Sequence, residues 1–188
     1  MALRLVELYQ ARFQVINKTI LSVLILLVSG CSMQAVDFKD KTPKLVLEEY
    51  FTKNISARGA FFDRKGDIKT RILINTSGSW DGKVLTLNEQ LKYESGEVHK
   101  RTFLISKVSD NLYTVRCDEF VGEGTIESYG NALHWTYKLK EHSKQAGGWT
   151  LSFDDWMFLS EDNYIINRAT AYKWGFRVGD VVLSLKPE

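Results

Sequence analysis

The chain has 188 residues, of which 44% are hydrophobic and 12% aromatic, and its formal net charge at pH 7 is +2. This length suits one domain, and the composition excludes an intrinsically disordered chain. The 25 basic residues nearly balance the 23 acidic ones, so the chain lacks the basic excess of nucleic-acid-binding domains. We therefore predict a globular protein that does not bind nucleic acid.

The first thirty residues have the pattern of a secretory signal. Basic residues precede a run, residues 20–28, in which only Ser22 is polar. A basic stretch, about 7–15 apolar residues and small residues before a cleavage point are typical of such signals. The run is shorter than the roughly 20 apolar residues of a membrane-spanning helix. Residues 1–30 are predicted to be a signal peptide that is removed.

Cys31 specifies the kind of signal. It follows Val28-Ser29-Gly30, and this tetrapeptide resembles the lipobox of bacterial lipoproteins, whose cysteine receives a diacylglycerol and an N-linked acyl chain. Two acyl chains are already enough to anchor a protein stably to a membrane. An ordinary signal peptide with a chance cysteine is the alternative. Because Ser32 replaces the aspartate that favours the inner membrane, we predict an anchor at the periplasmic face of the bacterial outer membrane.

Cleavage before Cys31 removes three of 25 basic residues and one of 23 acidic residues, which leaves 22 of each. Cys117 is then the only free thiol, so no internal disulfide can form. Such a cysteine in a strand-like run is typical of a small buried hydrophobic residue, and a nucleophile is the alternative. Residues 31–42 are predicted to be the lipidated cysteine and its tether, and residues 43–188 a single barrel domain.

A short helix is predicted at the start of this domain. Thr42 is a favourable N-cap, and Pro43 suits the first turn. Leu47, Tyr50 and Phe51 then share one helical face, which predicts a helix to about residue 53.

From residue 57 onward, short runs rich in β-branched and aromatic residues replace the helical period. Turn signals separate these runs; they include Gly66, Ser95-Gly96, Asp110-Asn111, Gly130-Asn131, Asp162-Asn163 and Gly175. Many short, evenly spaced strands without room for crossover helices predict an antiparallel sheet that closes on itself. The predicted fold is all-β, an up-and-down, lipocalin-like barrel of about 8–10 strands.

Alternation in residues 132–140 indicates which face meets water. Leu133, Trp135, Tyr137 and Leu139 share one face, and polar residues occupy the other. A polar outer face excludes a membrane-spanning barrel, whose outside is apolar. The interior of such a barrel is filled by side chains or holds one small ligand.

Charged residues fall on the apolar faces of two predicted hairpins. In the first, Glu89 shares a face with Leu91, and Arg101 is in phase with the apolar face of the next strand. A three-residue loop near Ser95-Gly96 places Leu91 opposite Arg101 and makes Glu89 its diagonal neighbour. A two-residue turn pairs the apolar face with polar residues, so burial favours the first register.

The second hairpin repeats this arrangement around Asp162-Asn163. A two- or four-residue turn there places Met157 opposite Arg168 and makes Asp155 the diagonal neighbour of that arginine. The predicted apolar face comprises Leu151, Phe153, Asp155, Met157 and Leu159 with Ile166, Arg168, Tyr172 and Trp174.

Three interpretations fit Glu89, Arg101, Asp155 and Arg168. The first is structural: buried carboxylates need partners, and arginine offers a planar fork, so the pairs fix strand register. In the second, the four residues form the polar end of a ligand cavity and bind a carboxylate or phosphate head group. The third is a catalytic pair.

The sequence contains no recognisable catalytic or metal-binding motif. Asp154 and Asp155 are adjacent in a predicted strand and point to opposite faces, so they cannot flank one bond. The three histidines are scattered, and no phosphate loop, nucleophile elbow or zinc spacing occurs. We therefore predict a protein that is not an enzyme and has no cofactor besides the acyl chains on Cys31.

Several short motifs occur in order along the predicted barrel. They are Gly59-Ala60-Phe61-Phe62-Asp63-Arg64, Glu89 with Tyr93, Arg101, Gly130-Asn131-Ala132, Asp154-Asp155-Trp156-Met157 and Asn167-Arg168-Ala169. Together they resemble domain-of-unknown-function family 3833, small lipoproteins of Gram-negative bacteria, over about residues 45–185. Phe103 departs from the tryptophan found there in the family. The resemblance implies an envelope location and an all-β domain, and it carries no activity or site residues.

The leading functional hypothesis is a lipocalin-like module that binds a lipid or another small apolar or amphiphilic molecule. Its head group would lie near Arg101 and Arg168, and its apolar part among aromatic side chains. The predicted apolar lining is Trp135, Tyr137, Phe153, Met157 and Trp174. The alternative is a non-catalytic structural or assembly lipoprotein that binds an envelope protein through its surface or an exposed strand edge.

Overall fold

The computed structural model describes residues 32–140 and 148–188. The predicted signal peptide, the lipobox and Cys31 lie outside these residues. Residues 34–188 form one compact unit. Within the described ranges, no helix combines the length and the apolar character needed to cross a bilayer.

Ten strands form one closed antiparallel barrel. Each strand pairs with its neighbours along the chain, and the first pairs with the last. The strands are β1 (Ile55–Asp63), β2 (Ile68–Trp80), β3 (Val84–Tyr93), β4 (Val98–Ser109), β5 (Leu112–Arg116), β6 (Gly124–Tyr129), β7 (Ala132–Lys140), β8 (Thr150–Leu159), β9 (Ile165–Lys173) and β10 (Phe176–Pro187). The predicted all-β, up-and-down barrel is confirmed, with a strand count at the upper end of the expected range.

Alternating side chains make the barrel interior the main hydrophobic core. In β7, Leu133, Trp135 and Leu139 are buried, whereas Thr136 and Lys140 are exposed. Successive residues of a strand point to opposite faces, so one apolar set fills the interior and one polar set meets water. Each large apolar side chain buried in this way contributes about 1.5–3 kcal/mol to folding.

The N-terminal helix is shorter than predicted. Val46 is extended and immediately precedes the helix α1, which comprises only Leu47–Tyr50. The prediction that Thr42 caps the helix is therefore wrong. Isolated short helices gain little stability from their own hydrogen bonds, and tertiary packing decides how many residues stay helical.

This segment closes one end of the barrel. Leu47, Tyr50 and Phe51 are buried there, and the Tyr50 hydroxyl donates a hydrogen bond to the Asn163 carbonyl at 3.1 Å. Gly78 of β2 permits the close approach, because a Cβ atom at that position would overlap the carbonyl oxygen of Phe51. We refer to residues 45–51 as the plug.

The segment that was predicted to be a tether contains a 3-10 helix, Ala35–Phe38, which contacts β6 and β7. The Phe38 ring packs on the outer face of the barrel, with its centroid 6.0 Å from that of Trp156 and 5.2 Å from that of Phe158. Aromatic pairs at such distances add about 0.5–1.5 kcal/mol beyond area burial.

One part of the barrel wall consists of a loop. β5 ends at Arg116 and β6 begins at Gly124, so residues 117–123 cover the space between the first half of β4 and the last half of β7. The amide of Val121 donates to the Lys138 carbonyl at 2.9 Å, and the Phe120 ring stacks on that of Tyr137 at 4.9 Å. We refer to residues 117–123 as the wall loop.

Candidate ligand cavity

The barrel interior contains a cavity of about 120 Å³. Phe51 lines it, so the cavity lies against the plug. Most of its walls are apolar and come from all around the barrel; they include Ile72, Leu87, Leu91, Phe103, Trp135, Tyr137, Phe153, Met157 and Leu183. Four of the five predicted lining residues, Trp135, Tyr137, Phe153 and Met157, therefore border the cavity.

Glu89 and Arg101 form an ion pair at this cavity. They are direct cross-strand partners, and the Arg101 Nε atom lies 2.6 Å from a Glu89 carboxylate oxygen. The Arg101 Nη1 atom also lies 3.5 Å from Glu119 of the wall loop. Burial lowers the pKa of Arg101, but Glu89, Tyr137 and Glu119 raise it more, so the guanidinium stays charged.

The register predicted for this hairpin is wrong, because Leu91 pairs with His99 instead of Arg101. The loop has three residues but comprises residues 94–96, since the Tyr93 amide donates to the Glu97 carbonyl at 2.9 Å. Gly96 has a φ of 85°, which suits the left-handed third position of such a loop. The pairing moves by two residues, so both charged side chains stay inside.

The register predicted for the second hairpin is also wrong. Its loop comprises residues 161–163, because the Ser160 amide donates to the Tyr164 carbonyl at 2.8 Å, and Asn163 has a φ of 64°. Met157 consequently pairs with Asn167. A shift of one residue moves every side chain of a strand to the other face, so Asn167 takes the interior position that was predicted for Arg168.

Arg168 and Trp174 are therefore not cavity residues. The Arg168 side chain is 60% exposed, and its Nε atom lies 3.2 Å from Asp180. Trp174 is 87% exposed in the turn between β9 and β10. The predictions that Arg168 holds a ligand head group and that Trp174 lines the cavity are therefore wrong, because they depended on the wrong register.

Asp155 remains inside without a cation. Its carboxylate accepts hydrogen bonds from the Tyr137 hydroxyl at 3.3 Å and from the Asn167 side-chain amide. No residue in the described part of the chain forms an ion pair with it. Burial raises the pKa of Asp155 to about 7, although the Asn167 and Tyr137 hydrogen bonds oppose the shift.

Two further polar atoms at the cavity lack hydrogen-bond partners within the described residues. They are the Thr76 hydroxyl and the indole nitrogen of Trp135, and both side chains are buried. A buried polar atom without a partner costs about 1–3 kcal/mol. Such atoms in a native structure call for an explanation, such as an ordered water or a bound ligand.

Three polar residues of this cluster were not predicted from the sequence. Asn167 was assigned to the outer face by the wrong register, Thr76 has no distinguishing pattern, and Glu119 belongs to an irregular loop. A signal for Asn167 existed: asparagine tolerates a left-handed conformation, so Asn163 could have been placed at the third position of a three-residue loop.

Cys117 of the wall loop is half-buried and packs against the core. Burial raises the pKa of its thiol, although the backbone of Glu119 and the charge of Arg101 lower it. Within residues 32–140 and 148–188, no cluster of three His, Cys, Asp or Glu side chains is arranged to hold a metal ion.

A larger, open concavity of about 710 Å³ lies along β2, β3, β4 and the wall loop. Polar side chains such as Asn75, Asn88 and Thr102 line it, and the Thr102 hydroxyl donates to the Asn88 side chain at 2.8 Å. Thr76, Glu89 and Arg101 line this concavity as well as the interior cavity, so the Glu89–Arg101 ion pair borders both. The interior cavity is the better candidate site, because its walls are mostly apolar and only a few polar groups lie among them.

The fold and the cavity define a small up-and-down β-barrel with a polar cluster in an otherwise apolar interior. The chain belongs to the family described as protein of unknown function (DUF3833), whose model matches residues 25–187. No curated protein and no solved structure matches the chain.

Proposed function

We propose that this protein is a lipid-anchored, ligand-binding protein at the periplasmic face of the bacterial outer membrane. The observation that carries the proposal is the apolar cavity with two buried polar atoms, of Thr76 and Trp135, that have no partner among the described residues. Small-molecule sites combine mostly apolar walls with a few polar groups that orient the ligand.

The cavity volume limits the size of the ligand. Drug-sized ligands occupy about 300–1,000 Å³, whereas this cavity measures about 120 Å³. An engineered apolar cavity of about 150 Å³ binds benzene. The proposed ligand therefore has about six non-hydrogen atoms. A whole acyl chain is larger than the cavity, so the proposal is narrower than the lipid ligand expected from the sequence.

The proposal is for binding without turnover. Glu89 pairs with Arg101, and both oxygens of Asp155 accept hydrogen bonds from neutral side chains. This arrangement provides one carboxyl group with a raised pKa but no second group positioned as its acid or base partner. The proposed function accordingly includes no cofactor besides the acyl chains on Cys31.

The Val28-Ser29-Gly30-Cys31 motif supports the lipid anchor, and the family match begins at residue 25, so it includes this motif. The test is incorporation of labelled palmitate in a Gram-negative host, with fractionation of the two membranes. The wild-type chain should be labelled and sediment with the outer membrane. The Cys31→Ser variant should lose both properties, and equal labelling of the two chains would overturn the anchor.

The binding proposal is tested with residues 32–188, which contain the whole compact unit. The probes are 1-butanol and benzene, and binding is followed by NMR chemical shifts of the interior methyl groups. We expect saturable binding at one site. Ala169→Leu, inside the cavity, should abolish it, whereas Ser184→Leu, on the exposed face of β10, should not. Absence of saturable binding by the wild-type protein would overturn the proposal.

An exposed aromatic patch favours a second candidate function, in which the barrel binds another envelope protein. Trp149, Trp174 and Phe176 are 49%, 87% and 76% exposed. The Lys173 ammonium lies over the rings of both tryptophans. Large exposed aromatic side chains are enriched at protein interfaces. Photo-crosslinking from position 174 in living cells should give one discrete adduct if this function holds, and none if it does not.

A further inference from the structure

The polar cluster of the cavity contains more acidic than basic groups. Arg101 is the only basic side chain among the described residues that line the interior cavity, whereas Glu89 and Asp155 both line it. Glu119 of the wall loop also reaches Arg101. The Arg101 guanidinium is therefore the cationic partner of two glutamates, and Asp155 has neutral hydrogen-bond donors only.

Aromatic rings surround the same space. Phe103, Trp135, Tyr137 and Phe153 all line the cavity, and Trp135 is the direct cross-strand partner of Asp155. The faces of aromatic rings carry partial negative charge and attract ammonium groups, most strongly where water is excluded. Tyr137 is stacked between Phe120 and Phe153, and Arg101 already lies over the Phe103 ring. Among the described residues, the Trp135 ring has neither kind of contact, and a carboxylate beside such a ring is a combination that stabilises an organic cation.

From this arrangement, and resting on the proposed function, we infer that the ligand is a small organic ammonium compound whose cationic group is held by Asp155 beside the Trp135 ring. The carboxylate can accept further hydrogen bonds, because an ionised carboxyl group has about four acceptor positions and its two protein donors occupy two of them. The alkyl part of the ligand would occupy the apolar remainder of the cavity.

The same geometry disfavours the carboxylate or phosphate head group that the sequence suggested. The Arg101 Nε and Nη1 atoms already face Glu89 and Glu119, at 2.6 and 3.5 Å. An anion would have to displace one of these carboxylates and would also be repelled by the other and by ionised Asp155. Charges that are removed from water without a partner are strongly destabilised.

A cationic ligand at Asp155 should bind with an affinity that increases with pH. Burial holds the pKa of Asp155 at about 7, and a cation binds its ionised form. The other charged or titratable groups around it are Glu89 and Arg101 across the interior, Tyr137 beside it and Asp154 on the outer face. The pKa of Tyr137 is raised well above its usual value by burial, so this side chain stays neutral.

The test compares three probes of similar size on residues 32–188 at pH 8 by calorimetry: n-butylammonium, 1-butanol and propionate. We expect n-butylammonium to bind at least tenfold more tightly than 1-butanol, and propionate not to bind. Asp155→Asn should remove this preference and retain 1-butanol binding. Asp154→Asn is the matched control on the outer face, where Asp154 contacts His134, and it should keep the preference.

A second measurement needs no variant. For the wild-type protein, the affinity for n-butylammonium should rise about tenfold between pH 6 and pH 8, as a carboxyl group with a pKa near 7 ionises. The affinity for 1-butanol should stay constant. If 1-butanol or propionate binds as tightly as n-butylammonium at pH 8, the inference is overturned while the proposed function stands. If no probe binds, the proposed function itself fails.

Discussion

The barrel contains two hairpins in which an acidic residue and an arginine lie on neighbouring strands, and the two hairpins place the arginine on opposite sides of the wall. The Arg101 side chain is 17% exposed and pairs with Glu89 inside, whereas the Arg168 side chain is 60% exposed and pairs with Asp180. In the first hairpin, the interior carboxylate of Glu89 has a guanidinium partner. In the second, the interior carboxylate, Asp155, has only neutral donors.

This difference separates structural charge from candidate functional charge. In a buried ion pair such as Glu89–Arg101, each charge has an opposite charge beside it. A buried carboxyl group with a pKa of about 7 is partly protonated at neutral pH, so a bound ligand can change its protonation state. Perturbed carboxyl groups in cavities are candidates for functional sites on this ground.

The largest expected effect comes from breaking the internal pair. Arg101→Met should destabilise the barrel by about 3–5 kcal/mol, because it leaves Glu89 buried without its cation. Arg168→Met is the matched control: Asp180 is buried but keeps Arg177 and Thr170 as partners, and the lost arginine is exposed, so the cost should be less than about 1 kcal/mol. Urea unfolding at pH 7 measures both. Equal losses for the two variants would contradict the difference between the hairpins.

A smaller effect is expected from the pH dependence of Asp155. Its carboxyl group has a pKa of about 7 when folded and about 3.9 when unfolded. The folded state therefore binds a proton more tightly, and the stabilisation present below pH 4 is lost as the pH rises to 7. This loss amounts to at most about 4 kcal/mol. Other groups also titrate between pH 4 and pH 8, so the contribution of Asp155 is measured as a difference in unfolding free energy between the wild-type protein and a variant.

Asp155→Asn lacks this proton, so its stability relative to the wild-type protein should increase steadily from pH 4 to pH 8. Urea midpoints at pH 4, 6 and 8 give this difference. Asp154→Asn, on the outer face, provides the reference. A difference between Asp155→Asn and the wild-type protein that stays constant with pH would show that the carboxyl group is not perturbed.

The smallest effect concerns the turn between β9 and β10, which joins the strands that carry Arg168 and Asp180. Trp174 has a φ of 53° and Gly175 a φ of 84°, a left-handed pair in which Asn-Gly is the preferred sequence. Trp174→Asn should therefore stabilise the barrel by about 0.5–1 kcal/mol. Thermal unfolding measures the change. A loss of stability would show that contacts of the Trp174 ring outweigh its backbone strain.

The period-two pattern of the strands was sufficient to predict the class of fold and the lining by Trp135, Tyr137, Phe153 and Met157. It was not sufficient to predict register, because register depends on where each loop begins. In the first hairpin, the error was two residues and left Arg101 inside. In the second, the error was one residue and exchanged Arg168 for Asn167.

Other features depended on tertiary structure and had no local signal. The wall loop brings Glu119 to Arg101 across a gap left by two short strands. The plug is held by contacts to distant residues, such as the hydrogen bond from Tyr50 to Asn163. Contacts between residues so far apart in sequence do not follow from propensities or spacing alone.

The central claim is that Asp155 is a buried carboxyl group without a cation and that an organic ammonium ligand supplies one. Carbon-13 NMR of the Asp155 side chain, titrated with and without saturating n-butylammonium, tests this claim most directly. We predict a pKa of about 7 in the free protein and a decrease of at least one unit when the cation is bound. A pKa near 4 in the free protein, or no change on binding, would contradict the claim.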